Sequence, residues 1–307
     1  MRPYSWFIFI LCLVMAGCSP IQETVSLPSS GLKVLAAESF LADIVQNVVG
    51  NRAQVDSLVP AGLDPHAFEP TPQDIVRITN CDVIVLNGGG LEGWAQNVFE
   101  NLQGNQLVLE ASKGLTSRQP VKETADLQDD HEGDPHFWLD PNLVVYYVEN
   151  IRDGFIQVDP AGENEYRQNA KTYIEQLKEL DAWIQTQVNQ IPLGRRLLVT
   201  NHESFGYFAD RYGFRVVGAV IPSVSTGASP SAQQMAELIT QIRVSGAPAI
   251  FLETGANPQL ANQISAETGV KVVTNLSTHS IPPDTDFGSG YIAMMKSNVA
   301  AIVSALK

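Results

Sequence analysis

Apolar residues fall along this chain in two alternating rhythms. Short, mainly apolar runs at 32–37, 55–59 and 83–86 predict strands, and between them apolar residues recur every three or four positions, which predicts helices. In the first helix Phe40, Leu41, Ile44, Val45 and Val48 share a face, Ser39 can cap the start and Gly50 lies beyond the end. Thr71-Pro72-Gln73-Asp74 supplies a cap, a proline at the first helical position and an acid in the first turn, so another helix begins there. A third is expected over about 91–102, and Asp140-Pro141 opens a fourth with Leu143, Val144, Tyr147, Ile151 and Phe155 on one face. The same alternation returns later. Strands are predicted at 197–200, 215–220, 249–252 and 270–273, with helices at about 203–212, 231–244, 258–268 and 290–306.

Between the two blocks the rhythm is helical without interruption. Tyr166, Ala170, Tyr173, Leu177, Leu180, Ile184, Val188 and Ile191 step by three or four, and a helix of that length spans about 40 Å at 1.5 Å per residue. Strands alternating with helices predict parallel sheets, so the expected class is α/β: two lobes, each a parallel sheet flanked by helices, joined by one long rigid helix. The divisions read from the pattern are 31–160 for the N-terminal lobe, 161–191 for the linking helix and 192–307 for the C-terminal lobe.

The first residues are different. Arg2 precedes a nearly unbroken apolar run from Trp6 to Met15, and Ala16-Gly17-Cys18 closes it. The run is shorter than the roughly 20 residues of a membrane-spanning helix, so 1–17 is expected to be a signal peptide. Small residues before a cysteine resemble the lipobox of bacterial lipoproteins, which implies a lipid on Cys18, a polar tether over 18–30 and a protein exported to the cell envelope and anchored to a membrane. Of three cysteines, Cys12 leaves with the signal and Cys18 is acylated, so Cys81 has no intramolecular disulfide partner. Formal net charge is −14, with no basic cluster, which argues against a nucleic-acid partner.

Candidate chemistry lies in the histidines, of which there are five. Two follow the same dipeptide: Asp64-Pro65-His66 and Asp134-Pro135-His136. Proline stiffens each backbone, and an aspartate two residues away can accept the ring N–H that a metal-bound imidazole leaves over. His66, His136, His202 and His279 all fall in loops near strand ends, where parallel sheets bind ligands. Four imidazoles without a nearby cysteine suit a single metal ion. His131, in the charged stretch 116–133, is expected to be incidental. Asn87-Gly88-Gly89-Gly90 matches no nucleotide-loop spacing and predicts a tight turn.

Four stretches, Leu63-Asp64-Pro65-His66-Ala67-Phe68-Glu69-Pro70-Thr71-Pro72, Asp134-Pro135-His136-Phe137-Trp138-Leu139-Asp140-Pro141, His202-Glu203-Ser204-Phe205-Gly206-Tyr207-Phe208 and Tyr291-Ile292-Ala293-Met294-Met295, make the chain from about residue 32 onward resemble the zinc- and manganese-binding solute-binding proteins of ABC transporters. The resemblance implies two α/β lobes on a long helix, one metal ion in the cleft, and delivery to a membrane permease with its ATPase. By motif, His66, His136 and His202 fall on ligand positions. A histidine at the third position resembles the zinc-associated branch, and the fourth position, usually aspartate, is occupied by His279 in Ser277-Thr278-His279-Ser280-Ile281.

The expected cargo is therefore zinc, with manganese or iron as alternatives, carried by a monomer. Asp64, Asp134, Asp140 and Glu203 are expected to accept imidazole N–H bonds around the site. Glu253, Asp284 or Asp286 could instead supply an oxygen ligand in place of His279. Two other functions remain open at this point. One is a zinc hydrolase using three histidines with Glu203 as base, although Gly206 stands where His-Glu-x-x-His needs its second histidine. The other is a surface protein of cell adhesion, which would need no metal.

Overall fold

A computed structural model describes residues 31–101, 106–118, 133–227, 229–282 and 289–307. The signal and tether, Cys18, His131, Asp284 and Asp286 lie outside these residues. The N-terminal part runs β1 (Lys33–Ala36), α1 (Ser39–Val49), β2 (Gln54–Ser57), α2 (Pro72–Asn80), β3 (Val83–Leu86), α3 (Ala95–Asn101), β4 (Leu107–Glu110) and α4 (Pro141–Val158). α5 (Glu163–Val188) follows. The C-terminal part runs β5 (Leu197–Thr200), α6 (Gly206–Tyr212), β6 (Arg215–Ala219), α7 (Ala232–Ser245), β7 (Ala249–Glu253), α8 (Gln259–Thr268), β8 (Lys271–Leu276) and α9 (Gly290–Leu306).

Both sheets are parallel and share one topology, β2-β1-β3-β4 and β6-β5-β7-β8. In each, strand order reverses beside the first strand, which leaves a crevice at the carboxyl edge. Local signals start the helices as expected. Thr71 and Asp74 form a reciprocal cap on α2, Ser231 and Gln234 do the same for α7, and the Asp140 carboxylate caps α4 by accepting from Asn142 N. Each cap supplies partners for N–H groups that a helix start leaves unpaired.

The long helix α5 buries one stripe, Tyr166, Ala170, Tyr173, Leu177, Leu180, Ile184 and Val188, within a core shared with α1, α4 and α9. α9 returns from the second sheet to that core: Tyr291 donates its backbone N–H to Asp43 Oδ2 at 2.9 Å and its hydroxyl to the Trp138 carbonyl at 2.6 Å. The lobes are thus joined by α5 and also stitched by the last helix, which the sequence pattern does not reveal.

Two helix starts move and one strand is added relative to expectation. α3 begins at Ala95 because Glu92 turns its carboxylate back onto the N–H groups of Asn87 and Gly88, holding the glycine turn open before the helix starts. α6 begins at Gly206 because residues 201–205 form the turn that carries His202. β4 was not foreseen, since its four residues alternate between half-buried and exposed at the sheet edge.

Candidate metal centre

The two Asp-Pro-His segments use one backbone device and then diverge. Asp64 Oδ1 accepts from His66 N, and Asp134 Oδ1 accepts from His136 N, both at 3.0 Å, so each aspartate pins the backbone of its own histidine. Asp134 Oδ1 also receives the ring Nδ1 of His136 at 2.8 Å. Asp64 does not repeat this contact: its Oδ2 accepts from the Thr226 hydroxyl across the cleft. The other two imidazoles come from the second sheet. His202 follows β5, with its carbonyl held by Thr200 Oγ1 at 2.7 Å, and His279 follows β8, beside Thr278 whose carbonyl accepts from Trp138 Nε1 at 2.7 Å.

From these four loops the Nε2 atoms converge. His66, His202 and His279 place theirs 3.3, 3.1 and 3.5 Å from His136 Nε2, and all four ligand atoms lie within 4.8 Å of one another. Four nitrogens held tetrahedrally at zinc–nitrogen bond lengths would be roughly 3.4 Å apart, so the spacing has the size of a single-ion cage. His136, His202 and His279 are buried and His66 is half-buried.

Charge is arranged behind the rings. Glu253, the last residue of β7, lies with Oε1 2.9 Å from His202 Nδ1 and Oε2 3.1 Å from His279 Nδ1, so one carboxylate serves two imidazoles. Burial pushes the Glu253 carboxyl up, but His202 and His279 outweigh it and hold the group well below the usual range. In return, Glu253 raises His279 against the downward pull of burial. Burial and the three neighbouring rings hold His136 well below an ordinary histidine, which leaves its lone pair free of a proton. Asp134 is pushed up to about 7 by burial, eased by the His136 N–H and by Arg118, whose Nη1 stands 3.6 Å from Oδ2. Arg118 also pairs with Asp210 on α6 at 2.7 Å. Residue 206 has to be glycine for this: a Cβ there would lie 1.8 Å from Arg118 Nη1 and 2.8 Å from Asp134 Oδ2.

Of the four carboxylates expected around the rings, Asp134 alone has a ring nitrogen bonded to it. Asp64 serves the His66 backbone and Thr226. Asp140 accepts from Asn142 N and Nδ2 at 2.9 and 3.0 Å, because the start of α4 claims it. Glu203 sits on a turn fixed by its backbone N–H to Ser223 O, and the carboxylate meeting His202 is Glu253 instead. The sequence offers Glu253 as an oxygen ligand in place of His279, yet both its oxygens face the Nδ1 side of the rings. Its signal was available as an acid closing the apolar run of β7 at the ligand-binding edge of a sheet.

A family model described as "ZnuA: Zinc-uptake complex component A periplasmic" matches residues 34–305. The chain belongs to this family. The ZnuA family comprises substrate-binding proteins of metal transport rather than enzymes, so the hydrolase reading is set aside. Relatives carry the names of different metals. The manganese-binding lipoprotein MntA of Halalkalibacterium halodurans is 34% identical, over 99% of this chain and 98% of its own length. The high-affinity zinc uptake system protein ZnuA of Bacillus subtilis is 30% identical over 98% of this chain and 96% of its own. Among solved structures, the periplasmic zinc binding protein TroA of Treponema pallidum superposes with a TM-score of 0.79 at 30% identity, covering 90% of this chain and 99% of its own. A manganese-bound periplasmic metal binding protein from Candidatus Liberibacter asiaticus gives 0.79 at 27% identity, covering 89% and 99%.

Proposed function

We propose that His66, His136, His202 and His279 hold one zinc ion as cargo, for delivery to the permease of an ABC transporter powered by a separate ATPase. The observation that carries this reading is the convergence of four imidazoles, three with Nε2 3.1–3.5 Å from that of His136 and all four ligand atoms within 4.8 Å of one another. An all-nitrogen donor set favours zinc, whereas manganese prefers carboxylate and carbonyl oxygens. Four neutral imidazoles leave the dication uncompensated, and the Glu253 carboxylate, held ionised against His202 and His279, supplies balancing charge, with Asp134 bonded to His136 Nδ1.

Manganese is the second reading, favoured by the name of the MntA relative. Titrating zinc against manganese on metal-stripped protein decides between them, with His279→Ala and His279→Asp as variants. Zinc is expected to bind one per chain and to outcompete manganese, alanine to weaken it markedly, and aspartate to restore part of the affinity while relaxing selectivity toward manganese. Equal binding of both metals, or unchanged affinity in both variants, counts against a four-histidine zinc site.

The same proposal places the protein in the cell envelope as a monomer anchored through a lipid on Cys18, in keeping with the lipoprotein names of its relatives. Multiple acyl chains hold a protein on a membrane where one would not. Cys18→Ser is expected to release exported protein into the soluble fraction, and a variant that stays in the membrane fraction rejects the anchor.

A further inference from the structure

A cavity of about 380 Å³ lies against one side of the imidazole cluster. It is cut into the carboxyl edge of the second sheet, where Asn201, Thr226, Glu253 and His279 line it, and its opposite wall is the N-terminal segment 62–64 together with Ala67. Asp64 and Glu253 are its charged lining, with no lysine or arginine among the described lining residues, so the field inside favours a cation. The wall opposite the second sheet leads to His66, the half-buried member of the cluster, and the adjoining residues 60–63 are exposed.

The cluster is held very differently on its two sides. Toward α6 and α9, the Tyr207 hydroxyl donates to the Asp134 carbonyl at 2.7 Å, and Trp138 is bonded to both Thr278 and Tyr291 in the buried core. At the cavity, hydrogen bonds between the lobes include Thr226 Oγ1–H to Asp64 Oδ2 and Gly62 N–H to Ser280 Oγ at 3.2 Å. There the backbones close in directly: Gly255 has φ +90°, and a Cβ on it would stand 3.2 Å from the Gly62 carbonyl oxygen.

We propose that this cavity is the route by which the cargo ion enters and leaves, and that the Thr226–Asp64 hydrogen bond, acting through His66, is the latch that sets the rate of release. The inference rests on the reading of the four imidazoles as the ion's seat. Asp64 pins the backbone of His66 with one oxygen and the far wall with the other, so parting the Thr226 bond frees the segment that carries the half-buried ligand. Thr226 bonds to Asp64 and is not one of the four converging donors; it is a positioning residue.

Stopped-flow transfer of zinc from the loaded full-length chain to a chromogenic chelator reads the release rate. Thr226→Val removes the donor and keeps the shape, and release is expected to be about tenfold faster, as suits a hydrogen bond to a carboxylate. Thr226→Ser keeps the donor and restores slow release. Ala256→Trp, placed at the cavity wall, slows loading and release together. Wild-type release from Thr226→Val, fast release from Thr226→Ser, or unhindered loading of Ala256→Trp each overturns the proposal. Zinc stoichiometry, measured first on the same samples, separates the two readings: a wild type that binds no stoichiometric zinc defeats the seat itself, whereas one zinc per chain with unmoved rates defeats the latch.

Discussion

The carboxyl edges of the two sheets, identical in strand order, are put to opposite uses. In the first sheet the crevice beyond β1 and β3 is plugged by Glu38, Asn87 and Glu92, all buried, with Asn87 bonded to the Pro135 carbonyl and to the Tyr147 hydroxyl. In the second, the crevice beyond β5 and β7 carries His202 and Glu253 and opens into the cavity. Buried carboxyls sit in both places and behave in contrary ways. Burial, then the nearness of Glu92, pushes Glu38 well up, and burial raises Glu92 to about 7 against the N–H groups of Asn87 and Gly88. Glu253, also buried, is held well below the usual range by two imidazoles. One crevice is closed by two carboxyls that burial drives toward the proton-bound form, while the other keeps an ionised carboxylate against two imidazoles. A fold therefore offers a ligand position twice here, and the side chains decide which copy is used.

The sharpest way to break this contrast is to remove the charge from the second crevice. Glu253→Gln is expected to lower zinc affinity by about 10- to 100-fold, the usual consequence of losing a carboxylate behind metal-bound histidines, in a competition titration. An affinity within twofold of wild type would mean that Glu253 is a spectator. Acid should act through the same group. His279 holds its proton more tightly than an ordinary histidine because Glu253 outweighs burial, so protons begin to compete with the metal above the ordinary value of 6.5 and affinity falls as the pH drops through that region. His136, held well below 6.5, stays available. Titration from about pH 8 to about pH 5.5 should show the loss beginning at lower pH in Glu253→Gln than in wild type, and coincident curves would contradict the assignment.

The first crevice is expected to respond in stability and not in binding. The folded Glu38–Glu92 pair takes up protons that the unfolded chain does not hold between the ordinary carboxyl value and about 7, so native stability falls as pH rises through that window. Glu38→Gln removes a buried group that must ionise beside Glu92 and should stabilise by about 1 kcal/mol or more at pH 8 and by much less near pH 5, measured by urea unfolding. A gain of the same size at both pH values would contradict the raised carboxyls. The smallest effect concerns shape. With α5 continuous and α9 stitching the lobes, scattering curves with and without zinc should nearly superimpose, and a marked fall in radius of gyration would show that the joint bends.

What was legible in the sequence was local or rare. The stripe from Tyr166 to Val188 is written at helical spacing, and every one of those residues is buried as the spacing requires. The four histidines stood out in a chain that has five, and each lies at a loop where a parallel sheet receives ligands. The outer carboxylates were not legible because their partners are distant in sequence. Asp64 and Asp134 share the same neighbours, yet one meets Thr226 from the other lobe and the other meets its own histidine ring. Nothing near Glu253 in the chain announces that β5 and β8 will bring His202 and His279 to either side of it.

The return of α9 to the first lobe bears on how the molecule comes to be. Its Tyr291 is bonded to Asp43 on α1, 248 residues earlier, and its apolar face completes the core that α1 and α5 begin. The lobe that α1 begins is therefore finished by a segment made 248 residues later, and contacts of such long separation are formed late and slowly. A nascent chain of this design stays incompletely folded until α9 has been made, and a chain cut short before residue 290 would leave the wound in the opposite lobe from the cut.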